Sequence, residues 1–317
     1  MHEMDSRCGQ FFRKYPQLSV VINITSDTPF LTVVQWLASH SSITDFTDEL
    51  SRSLAVTSAP IARGGLSDVY RATRSDGTQL AIKCLRRHDP KHVKRTAREL
   101  NTWSRLKHQN VLELSGLALF QGCLAMVSPW MKYGSVTSVV KQWPDRDRYK
   151  LCQQLTAAID NLHREGVVHG DIKGENALVA KDGTLKLTDF GLAVMHDVAV
   201  EFSQTDPGGG TARYMAPELW EEDSERSREA DVYAMGMTML EILTGDVPFP
   251  EIKSAHRIGI AVAQQRRVPD VPELQKESAS LEEKVMLAVL RSCWKYEPKD
   301  RPTARKVALL VRGVVDN

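Results

Sequence analysis

Along the first half of the chain, apolar and polar residues alternate in short runs. Along the second half, apolar residues return every three or four positions. Residues 1–50 show neither period well. Residues 20–24 read as a short strand, 30–38 as a buried strand or helical turn, and 39–47 as a polar linker into 48–54. From Ser58 the pattern becomes strand-like. Residues 58–61 and 69–73 bracket Ala62-Arg63-Gly64-Gly65-Leu66-Ser67, the turn signal Ser75-Asp76-Gly77-Thr78 follows, and 79–85 make a third strand. Asp89-Pro90 starts a helix carrying Val93, Ala97, Leu100 and Leu106 at near-helical spacing, ended by His108-Gln109-Asn110. Residues 111–119 and 123–127 read as two further strands.

Ser128-Pro129-Trp130-Met131 then leads into Gly134-Ser135, an apolar hinge between a β-rich half and a helical remainder. Tyr149, Cys152, Leu155, Ile159 and Leu162 mark an amphipathic helix closed by Gly166. Residues 177–179 and 185–188, joined by Lys181-Asp182-Gly183, form a small hairpin, and 231–243 are the most apolar helical stretch. At 317 residues the chain is long enough for two cores, or for one two-lobed domain with a short extension.

Charge changes the picture little. Lys and Arg number 41 against 40 Asp and Glu, a net +1, so no global field points to nucleic acid or to an acidic membrane. The cysteines Cys8, Cys84, Cys123, Cys152 and Cys293 are scattered with no Cys-x-x-Cys pair, which argues against zinc and a disulfide framework and fits a reducing compartment. Without a membrane-length apolar run or a signal-peptide pattern, the expected location is cytoplasmic or nuclear.

The chemistry concentrates in His169-Gly-Asp-Ile-Lys-Gly-Glu-Asn176, answered by Asp189-Phe190-Gly191. This places a carboxylate (Asp171), a cation (Lys173) and a carboxamide (Asn176) on one tight loop, with a second carboxylate (Asp189) after the next strand. Phosphoryl transfer needs such a set: one group to take the attacking hydroxyl's proton, one to offset charge, and two oxygen ligands for a hard cation. Singly, each residue is as well explained as a loop cap or a surface charge; the joint spacing is not. Upstream, Lys83 shares a strand face with Ala81 and requires an anion there. Glu99, alone among six basic residues on the following helix, is its expected partner.

On these motifs the chain from about Ser53 to Asn317 resembles a eukaryotic-type protein kinase of the tyrosine-kinase-like Ser/Thr group. Leu80-Ala81-Ile82-Lys83 resembles the phosphate-binding strand, His169 to Asn176 the catalytic loop, and Asp189-Phe190-Gly191 the metal motif. Gly210-Thr211-Ala212-Arg213-Tyr214-Met215-Ala216-Pro217-Glu218 resembles the end of an activation segment. Asp231-Val232-Tyr233-Ala234-Met235-Gly236 and Asp300-Arg301-Pro302-Thr303 complete the helical lobe. The resemblance implies an α+β, two-lobed fold: a small antiparallel β-sheet lobe with one main helix (about 53–127), a hinge (about 128–134) and a larger, mainly helical lobe (about 135–317), behind an extension of residues 1–52. That extension reads as a tail packed on the neighbouring lobe, with a docking or regulatory segment as the alternative.

The resemblance further implies transfer of the ATP γ-phosphoryl group to Ser/Thr hydroxyls of protein substrates. Asp171 would be the base, Lys173 the charge-offsetting cation, Lys83 and Glu99 an ion pair on the phosphates, and Asn176 with Asp189 the Mg²⁺ ligands, Mn²⁺ being the alternative metal. Ile61, Gly64, Val69, Ala81, Lys83, Ser128, Pro129, Met131 and Leu178 would surround the nucleotide, Ser128 as a small gatekeeper. Glu218 and Arg301 would form a buried ion pair, and Asp231 would anchor the catalytic loop backbone. Partners would be protein substrates, not nucleic acid or membrane, for a chain that is monomeric by default.

Two departures stand out. Ala62 and Ser67 occupy positions where the family usually has glycine, and Gly170 stands where it often has an arginine for activation-loop phosphate. Glycine offers no cation, so phosphorylation at Ser203 or Thr205 is not expected to act by that route. The altered glycine loop keeps a pseudokinase, a nucleotide-binding or interaction module, as the alternative. A small-molecule phosphotransferase is opposed by the Ala216-Pro217-Glu218 segment and Asp300-Arg301.

Overall fold

Alternation along the early strands sorts their side chains onto two faces of one sheet. In the computed structural model, residues 43–63, 67–85, 100, 102–143, 147–191, 193–195, 211–271, 276 and 278–316 are described. They fall into two compact units, one formed by residues up to 104 with 113–130, the other by 105–112 with 131–317.

The first unit is built on a seven-stranded sheet, in the order β1-β6-β7-β5-β4-β2 with β3 also on β4. Its strands are β1 (Thr44–Asp45), β2 (Ala55–Val56), β3 (Ala62–Arg63), β4 (Ser67–Thr73), β5 (Gln79–Leu85), β6 (Gly116–Phe120) and β7 (Cys123–Pro129). All pairs are antiparallel except β1 on β6. Tyr70, Ala72, Leu80, Ile82, Cys84, Ala118, Ala125 and Val127 form one buried face, covered by Phe46 and Leu50. The opposite face carries Val69, Lys83 and Met126 in one cross-strand row and Ala81 beside Ser128 in the next.

Several sequence expectations shift here. The polar 39–47 stretch contains β1, and helix α1 (Thr47–Arg52) follows at once. Phe46 N donates to Leu117 O at 2.7 Å, and Glu49 accepts Arg74 through two bonds of 2.6 and 3.1 Å. The end of the expected tail is therefore part of the sheet. Residues 58–60 are not a strand; pairing is taken up by the two-residue strands on either side. The expected strand 111–119 divides: Leu112 N donates to Leu187 O and Leu187 N to Asn110 O in the second unit, while β6 begins only at Gly116. Residues 20–38, Gly64, Gly65, Glu99, the helix start at Asp89-Pro90, and Ser203 to Gly210 lie outside the described residues.

The second unit is helical, with α2 (Val136–Gln142), α3 (Arg148–Arg164), α4 (Arg228–Thr244), α5 (Ala255–Gly259), α6 (Leu281–Cys293) and α7 (Ala304–Val315). The ends of α3 and α4 follow from local chemistry. Asp147 and Ser227 accept the Lys150 and Ala230 amides as N-caps, and Gly166 and Gly245 exit at φ +77° and +83°. α3 buries one stripe, whereas α4 is buried on every side from Ala230 to Ile242, which explains its continuous apolarity. Three short strands frame the loop of interest: β8 (Val167–Val168), and the β9 (Ala177–Val179) and β10 (Leu185–Leu187) hairpin. β11 (Val194–Met195) pairs back onto β8. Among the described residues no helix is long and apolar enough to cross a membrane.

Candidate active site

The loop from His169 to Asn176 is held from below by one buried carboxylate. Asp231, in the first turn of α4 and 2% exposed, accepts the His169 amide (2.8 Å) and the His163 ring (2.9 Å) on Oδ2, and the Gly170 amide (2.9 Å) on Oδ1. Gly170 adopts φ +77°, a left-handed conformation that costs other residues about 1–2 kcal/mol. Glycine thus lets two successive amides point at Asp231 without strain. Above this anchor, Lys173 Nζ donates to Asp171 Oδ2 (2.8 Å) and to Thr211 Oγ1 (2.9 Å). The Asn176 amide group donates to the Asp171 carbonyl (2.8 Å) and to Asp171 Oδ2 (3.0 Å). Both donors fall on Oδ2. Asp171 Oδ1 is buried without a hydrogen-bond partner among the described residues, so the carboxylate is oriented with one oxygen left to accept a proton.

Because the Asn176 NH₂ is spent on Asp171, its amide oxygen faces away, as a metal ligand requires. Thr188 N donates to Asn176 O at 2.9 Å, which draws the residue before Asp189 onto the loop. Asp189 itself has φ +69°, a strained state that concentrates at functional sites. Its neighbour Phe190 is buried against the His169 ring, centroids 5.3 Å apart, and His169 Nε2 meets Thr188 O at 3.1 Å. A carboxamide oxygen and a carboxylate are hard donors. Such donors suit a hard divalent cation; among the described residues there is no cluster of three or more His, Cys, Asp or Glu.

The remaining expected positions divide between the units. In the first, Val69, Ala81, Lys83 and Ser128 share the sheet face described above; Pro129 ends β7, and Ile61 donates its amide to Val69 O at 2.7 Å. In the second, Met131 is buried, and Leu178 bridges to Ser135. Gly64 and Glu99 are outside the described residues.

Comparison with known proteins decides the family. The profile described as "Protein kinase domain" matches residues 56–309. The chain belongs to the protein kinase family. A mitogen-activated protein kinase kinase kinase 3 of Arabidopsis thaliana is 31% identical over 265 residues, 78% of this chain and 43% of its own length. The LRR receptor-like serine/threonine-protein kinase ER1 of Oryza sativa is 27% identical over 319 residues, 95% of this chain and 32% of the relative. An inactive leucine-rich repeat receptor-like serine/threonine-protein kinase of Arabidopsis thaliana is 28% identical, covering 84% and 42%. The kinase chain therefore spans less than half the length of these relatives. Protein kinase domains in general use ATP together with a divalent metal.

The kinase framework shows a buried acid, Glu241, that sequence reasoning passed over. Tyr214 donates its hydroxyl to Glu241 Oε2 at 2.7 Å. Glu241 is fully buried, and burial raises its pKa above 4.5 despite the hydroxyls of Thr137 and Tyr214 and the Gly174 amide. Burial also raises the Tyr214 phenol, with Glu241 adding to it. A Cβ at Gly174 would come within 2.5 Å of Thr137 Oγ1 and 2.7 Å of the Glu241 carboxyl carbon, so only glycine fits that point of the catalytic loop. The motif reading covered Gly174 and Tyr214 as motif members; the acid beneath them gave no signal, being one Glu inside an apolar helix. Glu218 and Arg301 meet as expected, through two bonds of 2.7 Å, with the guanidinium also on the Lys295, Glu229 and Tyr296 carbonyls.

Proposed function

We propose that the chain transfers the γ-phosphoryl group of ATP to Ser or Thr hydroxyls of protein substrates. The observation that carries this reading is the Asp171 carboxylate: Oδ2 fixed by Lys173 and Asn176, Oδ1 buried and unpartnered. Asp171 takes the proton of the acceptor hydroxyl as its oxygen bonds to the γ-phosphorus and the bond to the ADP oxygen breaks. Lys173 offsets charge on the moving group and ties Thr211, and with it the end of the activation segment, to the base. Asn176 and Asp189 would hold Mg²⁺, which would supply charge neutralisation for the phosphates; Mn²⁺ would suit the same oxygens. Lys83, on the sheet face with Val69 and Ala81, would grip the phosphates, with Glu99 as its partner. Thr211 beside Asp171 supports Ser/Thr over Tyr acceptors.

A pseudokinase reading draws on Ala62 and Ser67 in the glycine loop and on the likeness to an inactive relative. Purified protein with labelled ATP, Mg²⁺ and a generic protein substrate separates the two. Label transfer lost in Asp189→Asn supports the kinase; a nucleotide-induced thermal shift without transfer supports the pseudokinase.

A further inference from the structure

Arg213 lies in the one-turn 3-10 segment Thr211–Tyr214 and reaches into the connection after α4. Its Nη1 donates to Pro248 O at 2.7 Å and to Phe249 O, and its Nη2 to Ile252 O at 2.6 Å. Three carbonyl oxygens converging on one point repel one another, and a cation at their focus reverses the sign. All three belong to buried residues, so water offers little substitute. The connection is also strained: Phe249, 2% exposed, holds φ +52°, a genuine outlier for a bulky side chain. Such a conformation persists only where its surroundings over-determine it, and here Arg213 takes the outlier's own carbonyl. A guanidinium's planar fork supplies several donors at once in fixed directions, which an ammonium does not.

The same turn carries Thr211, bonded to Lys173 beside Asp171, and Tyr214, bonded to Glu241. Thr211, Tyr214 and Met215 line a pocket with Gly170, Asp171 and Arg226, next to the proton-accepting carboxylate. We propose that Arg213 is a positioning residue for the protein substrate: it clamps the 211–214 turn to the 248–252 connection and so keeps the wall beside Asp171 in shape for the acceptor segment. This rests on the kinase reading for its catalytic consequence, though not for the clamp itself.

Two measurements on the full chain test it. In Arg213→Ala, hydrogen exchange of amides in 211–215 and 247–252 should accelerate together, and millimolar guanidinium should slow both again where NaCl of equal ionic strength does not. Unchanged exchange, or rescue by NaCl alike, overturns the clamp. In steady-state assays with a generic protein substrate, Arg213→Ala should raise KM for protein about tenfold while KM for ATP stays within about twofold, with Arg213→Lys between. Equal losses toward both substrates in a folded variant overturn the positioning role. The exchange effect in Arg213→Ala together with no phosphate transfer by the wild-type chain leaves the clamp standing and overturns the kinase reading.

Discussion

Asp231→Asn removes a charge and almost no volume, and the structure says what that costs. The carboxylate accepts three hydrogen bonds, two on Oδ2 and one on Oδ1. Asparagine has a single oxygen, so in either orientation its NH₂ confronts a backbone N–H that also needs an acceptor. At least one charge-assisted bond is lost, about 1.5–3 kcal/mol, and the survivors weaken toward neutral values of about 1 kcal/mol. The expected destabilisation is about 2–4 kcal/mol, which for a chain of this size lowers Tm by about 3–6 °C. The His169 and Gly170 amides are the ones released, and Asp171 follows directly. Turnover should therefore fall about 10–100-fold at temperatures where the variant is still folded, by misplacement of the base. Scanning calorimetry and a single-turnover transfer assay check both. A Tm within about 1 °C of wild type, or an unchanged rate, would refute the anchoring role.

Other perturbations probe separate links. Arg301→Ala strands Glu218 and three carbonyls and should cost about 3–5 kcal/mol in urea unfolding; a loss under about 1 kcal/mol would remove the pair from the framework. Gly116→Ala puts a Cβ on the Thr44 carbonyl and within 2.5 Å of the Phe46 ring. It should cost about 1–3 kcal/mol, less in a Phe46→Ala background; equal costs in both would deny that residues 44–46 pack on the sheet. Glu241 has its folded pKa raised above 4.5, so its contribution is full below that pH and is lost as pH rises through the folded value. Glu241→Gln should flatten that segment of the stability curve, and an unaltered curve would mean the acid does not titrate there.

The catalytic loop was legible because its chemistry is local: Asp171, Lys173 and Asn176 lie within six residues and meet as their spacing suggests. The central strands were legible for a similar reason, since β5 and β7 are long enough for alternation to show. What escaped depends on distant partners. β1 is two polar residues, Thr44 and Asp45, whose pairing is set by the β6 edge and by Phe46 behind it. The 111–119 run keeps apolar residues at alternate positions on both sides of Glu113 and Ser115, so its division between β6 and a bridge to Leu187 leaves no mark in the pattern. Arg213 gave no signal because its acceptors are main-chain carbonyls, which every sequence contains. The acid under Gly174 was hidden in the same way, by a helix buried on all sides.

The most direct test of the account is the rate of phosphoryl transfer by Asp171→Asn against wild type, with ATP affinity measured on the same preparations. Loss of the base with the nucleotide-binding residues intact should lower the rate about 10²–10⁴-fold and leave ATP affinity within about twofold. Transfer at an undiminished rate by Asp171→Asn would contradict the assignment of the proton-accepting group, and with it the reading of the loop built around it.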